Sequence, residues 1–169
     1  ELECEALLDR ARHLHGLVAP VSPPANEASL EESLAGEPDD CAAFRARWER
    51  PQMHCVFTAH PTFLLTPAQT EAVARAASQD GEIDAASCVA PSERAKITLQ
   101  YEHEQAMRAI AHAGEARDRI VVALLAEARG RWPDDWHAFQ PLPFRFATWV
   151  GYDMDGRTDI GWHESIAFR

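Results

Sequence analysis

Two strand-like runs that end in turns, Cys55-Val56-Phe57 and Phe146-Ala147-Thr148-Trp149-Val150, constrain this chain more than any other feature of it. Each is short, apolar and rich in β-prone side chains, and each runs into residues that stop a strand. The first stops at His60-Pro61, and the second enters a turn in which Gly151 and Gly156 bracket Asp153-Met154-Asp155. The sequence between the two runs has a helical pattern and is far too long for a hairpin, so the strands suit parallel pairing through a helical crossover. Parallel neighbours bring their C-terminal ends to one side, where barrel and open-sheet enzymes keep their chemistry. His60 is therefore the first residue to explain, and His60 and Asp153 are expected to emerge at the same end.

The remaining pattern is helical. Leu7, Ala11, Leu14 and Val18 form one stripe over residues 2 to about 18. Pro20, Pro23 and Pro24 end that helix and open an acidic stretch, 20–40, read as a linker interrupted by a short helix around Leu30 to Leu34. Ala42 to Glu49 reads as a short helix with Phe44 and Trp48 as a core pair. Thr66 can cap a helix with Pro67 at its first position and Gln69 completing a capping box, running to about Ser78. Ser92 then caps a helical hairpin bearing Ile97, Tyr101, Met107 and Ile110, with Gly114 as its break. Ile120, Val121, Leu124, Leu125 and Ala128 continue the helical period to Gly130. The expected fold is mostly α with two short parallel strands.

At 169 residues and 46% hydrophobic content, with five tryptophans, the chain can bury a real core. Sixteen basic against 27 acidic residues give a net charge of −11, which disfavours nucleic acid and anionic membranes as partners. A small anion in a local basic pocket stays open. Cys4, Cys41, Cys55 and Cys88 form no C-x-x-C pair and read as reduced thiols of a cytoplasmic protein, not a zinc or disulfide framework. His13 and His15 point in different directions on a helix and read as surface residues, and Asp153-x-Asp155-x-Arg157 lacks the later ligands of a calcium loop. No metal site is expected. No apolar run approaches membrane-spanning length and no signal peptide is visible. The segment 1–169 reads as a single fragment of a longer chain.

Thr58-Ala59-His60-Pro61-Thr62 resembles, at all five positions, the Thr-Ala-His-Pro-Thr signature of phosphoenolpyruvate carboxylases. Trp149-Val150-Gly151-Tyr152-Asp153-Met154-Asp155-Gly156 is similar to that family's second element, Trp-(Ile/Met)-Gly-Gly-Asp-Arg-Asp-Gly-Asn. It agrees at Trp149, Gly151, Asp153, Asp155 and Gly156, in family order. Family enzymes are several times longer, so the resemblance covers an N-terminal slice. It implies two strands of an incomplete α/β, TIM-like barrel surrounded by many helices, in a cytoplasmic enzyme, and it allows a homo-oligomer. The implied reaction joins bicarbonate to phosphoenolpyruvate, giving oxaloacetate and phosphate with Mg2+, whose ligands lie beyond Arg169.

Carried onto this chain, His60 becomes the base that takes the carboxyphosphate proton, a step suited to an imidazole of unperturbed pKa about 6.5. Trp149 walls the pocket in which carbon dioxide forms beside the enolate, or is plain core. Asp153 and Asp155 organise the turn and neighbouring cations, or are turn-formers only. Three departures stand against the family pattern: Met154 replaces an arginine, Tyr152 replaces a glycine, and Phe63-Leu64-Leu65 follows Thr62 where polar and basic residues are usual. Arg157 is the candidate for a displaced cation. The segment alone is expected to be inactive. The alternatives are a catalytically dead homologue kept for binding or assembly, and a partial product without a function of its own.

Overall fold

The computed structural model describes residues 2–18, 22–58, 65–78, 98–154 and 157–168. His60, Pro61, Thr62, Cys88, Ser92, Ile97, Asp155 and Gly156 lie outside the described residues. In chain order the elements are α1 (Leu2–Val18), α2 (Pro23–Ala35), α3 (Cys41–Trp48), β1 (Met53–Phe57), α4 (Pro67–Ser78), α5 (Leu99–Arg131), a 3-10 turn (Trp136–Ala138), β2 (Phe144–Thr148) and α6 (Trp162–Ala167). The fold is mostly helical with two short parallel strands. They divide into two compact units, one holding α1 and α4 and the other holding the remaining helices and both strands.

In the first unit, Leu7 and Ala11 of α1 and Ala72, Val73, Ala76 and Ala77 of α4 are buried, and the two helices pack on each other. The start of α4 is built as the sequence reads. The Gln69 amide N–H donates to Thr66 Oγ1 at 3.2 Å, while the Thr66 N–H donates to Gln69 Oε1 at 3.0 Å, a reciprocal capping box. His15 differs from the surface role expected of it: its Nδ1–H donates to the Ala77 carbonyl at 3.0 Å, tying the two helices at their ends.

In the second unit, Phe44 of α3, Leu34 of α2, Leu124 and Ala128 of α5, and Phe139 form one buried cluster. The Phe44 ring lies 5.2 Å from that of Trp132 and 5.4 Å from that of Phe139, centroid to centroid, in tilted aromatic contacts. Asp40 caps α3 through Oδ1, which accepts from the Ala42 and Ala43 N–H groups at 2.9 and 3.1 Å.

Two expectations change here. The acidic stretch read as a linker is helical over Pro23–Ala35, because Pro23 and Pro24 stand in a first helical turn, where a missing N–H costs nothing. Leu30 and Leu34 of that helix join the Phe44 cluster. The α5 hairpin is likewise one helix of 33 residues, with no break at Gly114. A single glycine in a helix costs about 1 kcal/mol, less than abandoning the hydrogen bonds on either side of it.

The two strands pair in parallel, with Met53 opposite Phe144, Cys55 opposite Phe146 and Phe57 opposite Thr148. Each begins two residues earlier than its strongest apolar run, and β2 ends at Thr148, so Trp149 and Val150 already belong to the turn. Residues in register share a face. Cys55, Phe57, Phe144, Phe146 and Thr148 are half-buried on the side of α5, where Arg117 lies over the Phe146 ring at 5.9 Å. His54, Val56, Arg145 and Ala147 occupy the opposite face and are exposed. No helix among the described residues is long and apolar enough to cross a membrane.

Candidate site at the C-terminal ends of the strands

Because β1 and β2 run in parallel, the chain leaves both at the same end, through Thr58 on one side and Trp149 on the other. The turn after β2 is held by its own short-range hydrogen bonds. Thr148 Oγ1 accepts from the Val150 N–H at 3.2 Å, and the Trp149 carbonyl accepts from the N–H groups of Tyr152 at 2.8 Å and Asp153 at 3.2 Å. Gly151 has φ +85°, the left-handed region that the tight reversal requires. A Cβ there would also sit 2.8 Å from Phe168 Cδ2, so the ring occupies the space a side chain would need. The Ser165 hydroxyl donates to the Gly151 carbonyl, fixing α6 against the same turn.

Below this turn, Val150 and Ile160 are buried against Leu99 and Ala106 of α5, with Phe57 and Phe168 packed around them. The Phe168 ring stacks on His103 of α5 at 4.4 Å between centroids. The first two turns of α5 thus carry Leu99, Glu102, His103 and Ala106 into contact with residues in and around the second motif.

Of the side chains singled out in the sequence, Trp149 is 46% exposed and so is not plain core. Asp153 is exposed at the strand end, as are Tyr152 and Met154 beside it. Arg157 is not an open cation. Its Nε and Nη2 donate to the two carboxylate oxygens of Asp159 at 2.7 and 2.8 Å, and its Nη1 donates to Glu102 Oε2 at 3.1 Å. Hydrogen bonds to Asp159 first, and to Glu102 second, hold the guanidinium firmly protonated against its partial burial. Two carboxylates around one guanidinium leave no net positive charge to offer an anion. His60 and Asp155 lie outside the described residues.

Glu102, Asp159, Ser165 and Phe168 were not anticipated. Glu102 carried a readable signal: it stands three residues after Leu99 and four before Ala106, on the stripe that α5 buries. A carboxylate on such a stripe requires a partner. Among the described residues no three His, Cys, Asp or Glu side chains are grouped to hold a metal ion. Elsewhere, a cleft lined by Arg45, Glu49, Ala138 and Gln140 has its charged groups paired with one another: Arg45 donates to Glu49 at 3.0 Å, and Glu49 also accepts from the Gln140 N–H. Compared with known protein families, curated proteins and solved structures, the chain finds no match.

Proposed function

We propose that this chain is the N-terminal part of a phosphoenolpyruvate-carboxylase-like protein, in which β1 and β2 are neighbouring strands of an α/β barrel. The observation that supports the reading is the parallel register of Phe57 with Thr148, from which the chain enters the two motifs, at Thr58 and at Trp149, at the same sheet end. Two motifs some ninety residues apart in sequence have no reason to adjoin unless they serve one site or one core. In this reading His60 is the base that deprotonates carboxyphosphate, and exposed Trp149 walls the volume in which carbon dioxide meets the enolate. Asp153 and Asp155 organise the turn. The described residues do not fit a magnesium site, and no step here is routed through the metal.

The test is made in the complete protein. His60→Asn preserves size and removes the titrating base, so bicarbonate-dependent cleavage of phosphoenolpyruvate to pyruvate and phosphate should outlast oxaloacetate formation. The latter should fall roughly a hundredfold or more. Equal loss of both products assigns His60 to binding or folding. Oxaloacetate made by the 169-residue segment alone would overturn the incomplete-site reading.

A specific observation favours a second reading, a catalytically dead homologue that acts in binding or assembly. Met154, 58% exposed, stands where the family has an arginine, and Arg157 is neutralised by Glu102 and Asp159. The cation expected near anionic intermediates is then missing from the turn. Absence of phosphoenolpyruvate binding by the complete protein, in equilibrium titration, would select this reading.

A further inference from the structure

We propose that the open face of the β1–β2 sheet docks a carboxylate-bearing segment of the complete protein from outside residues 1–169. The acid seats on Arg145 and His54, and its apolar neighbours cover Val56 and Ala147. The inference rests on the reading of this chain as the N-terminal part of a longer protein, and goes beyond it by naming the chemistry that this face receives.

Parallel pairing gives the face two rows. His54 stands opposite Arg145 and Val56 opposite Ala147, so the partners in a row are about 5 Å apart and the rows about 7 Å apart along the strands. All four residues are exposed, Val56 by 51%, while the other face of the sheet is half-buried against α5. Parallel strands are joined by crossovers that pack on the sheet, and all-parallel sheets are accordingly covered on both faces.

Arg145 indicates what covers this one. Neither it nor His54 has a hydrogen bond or ion pair among the described residues, whereas Arg117, on the covered side, pairs with Asp118 at 2.7 Å. A permanent guanidinium charge beside an imidazole N–H suits one carboxylate. The second row offers no polar side chain, so the acid has to arrive with apolar side chains, two residues away on a strand or four on a helix. A second copy does not fit. A two-fold contact would set its cations against those of the first copy, or against Val56 and Ala147, in either case without an acid. Nucleic acid and anionic membranes are repelled by the net charge of −11. A small free anion would use the first row and leave the second in water.

The experiment is made on the complete protein with two conservative variants. Arg145→Lys keeps the charge and supplies an amine that a carbodiimide joins to a carboxylate in direct contact with it. Lys96 is the only natural lysine of residues 1–169, so peptide mass spectrometry assigns the product without ambiguity. The expected product links residue 145 to an aspartate or glutamate outside residues 1–169. Ala147→Cys puts a thiol on the second row, and its maleimide labelling should be slowed about tenfold or more relative to the same variant unfolded in urea. No cross-link at residue 145, a cross-link to an acid within residues 1–169 or between two copies, or labelling at the unfolded rate overturns the proposal. Neither measurement depends on turnover, so failure of the carboxylase chemistry, read from the products of the His60→Asn enzyme, is a separate result. The length of the natural polypeptide decides the reading beneath the proposal before either variant is made.

Discussion

Gly151→Ala tests whether the second-motif turn is built as described, because two separate costs meet at one atom. At φ +85° an alanine pays about 1–2 kcal/mol for left-handed backbone. Its Cβ would then lie 2.8 Å from Phe168 Cδ2. The ring cannot swing aside without leaving His103, on which it stacks at 4.4 Å, and displacing it costs about 0.5–1.5 kcal/mol in strained rotamers plus lost packing. The sum is about 2–4 kcal/mol, roughly a 4–16 °C drop in midpoint at a sensitivity of 2–4 °C per kcal/mol for a chain of this size.

The natural probe is tryptophan fluorescence in a denaturant titration. All five tryptophans (Trp48, Trp132, Trp136, Trp149 and Trp162) lie in the unit that contains Gly151, so the other unit is silent. The steric share is isolated by repeating the substitution on a Phe168→Ala background. There the alanine meets only the Cβ of residue 168, at an ordinary contact distance of 3.6 Å, and only the backbone cost of about 1–2 kcal/mol should remain. A parent-like midpoint in Gly151→Ala refutes the turn geometry. An undiminished cost on the Phe168→Ala background refutes the ring contact while leaving the backbone argument standing.

Other expectations follow from single contacts. Arg131 reaches from α5 to the C-terminal end of α2, donating to the Leu34 carbonyl at 2.7 Å and the Glu37 carbonyl at 3.0 Å, so Arg131→Met should cost about 1–3 kcal/mol, read as a lowered urea midpoint by tryptophan fluorescence. Thr66→Ala removes the hydroxyl of the α4 capping box and should cost about 1 kcal/mol, visible by circular dichroism but not in tryptophan fluorescence, since the first unit has no tryptophan. In the complete protein, Met154→Arg places a cation on an exposed side chain with Arg157 already neutralised. On the carboxylase-like reading proposed above it should tighten phosphoenolpyruvate binding about threefold to tenfold by isothermal titration, and an unchanged affinity would count against that reading of the turn.

Where a local rule decided the structure, the sequence was readable. The α4 start was legible because Thr66, Pro67 and Gln69 each satisfy a requirement of one helical turn, and none depends on a distant residue. The parallel pairing was legible because the length between the two apolar runs excludes a hairpin. Pro23-Pro24 misled because proline is equally at home after one helix and at the start of the next. What selects α2 is tertiary: Leu30 and Leu34 reach the Phe44 cluster, and Arg131, close to a hundred residues on, satisfies the carbonyls at its end. Gly114 misled for the opposite reason. A glycine breaks a helix only where some other arrangement is better, and nothing around it supplies one.

The site was legible as residue types and illegible as pairings. Asp153 and Gly151 could be placed in a turn at a strand end from spacing alone, and they stand there, whereas Trp149, read as part of the strand, already lies in the turn. Arg157 could not be assigned that way, because a cation beside a motif is open or spent according to which carboxylates the fold brings to it. Asp159 lies only two residues away, but an exposed pair so close in sequence says little. The deciding partner is Glu102, more than fifty residues earlier, and the sign of its importance was its place between Leu99 and Ala106 on a buried stripe. A charge on an apolar stripe demands an opposite charge at the same depth. Among the basic residues near the second motif, Arg157 meets that demand, which turns it from a candidate ligand into part of the frame. Any anion chemistry at this strand end then has to draw its positive charge from beyond the turn itself.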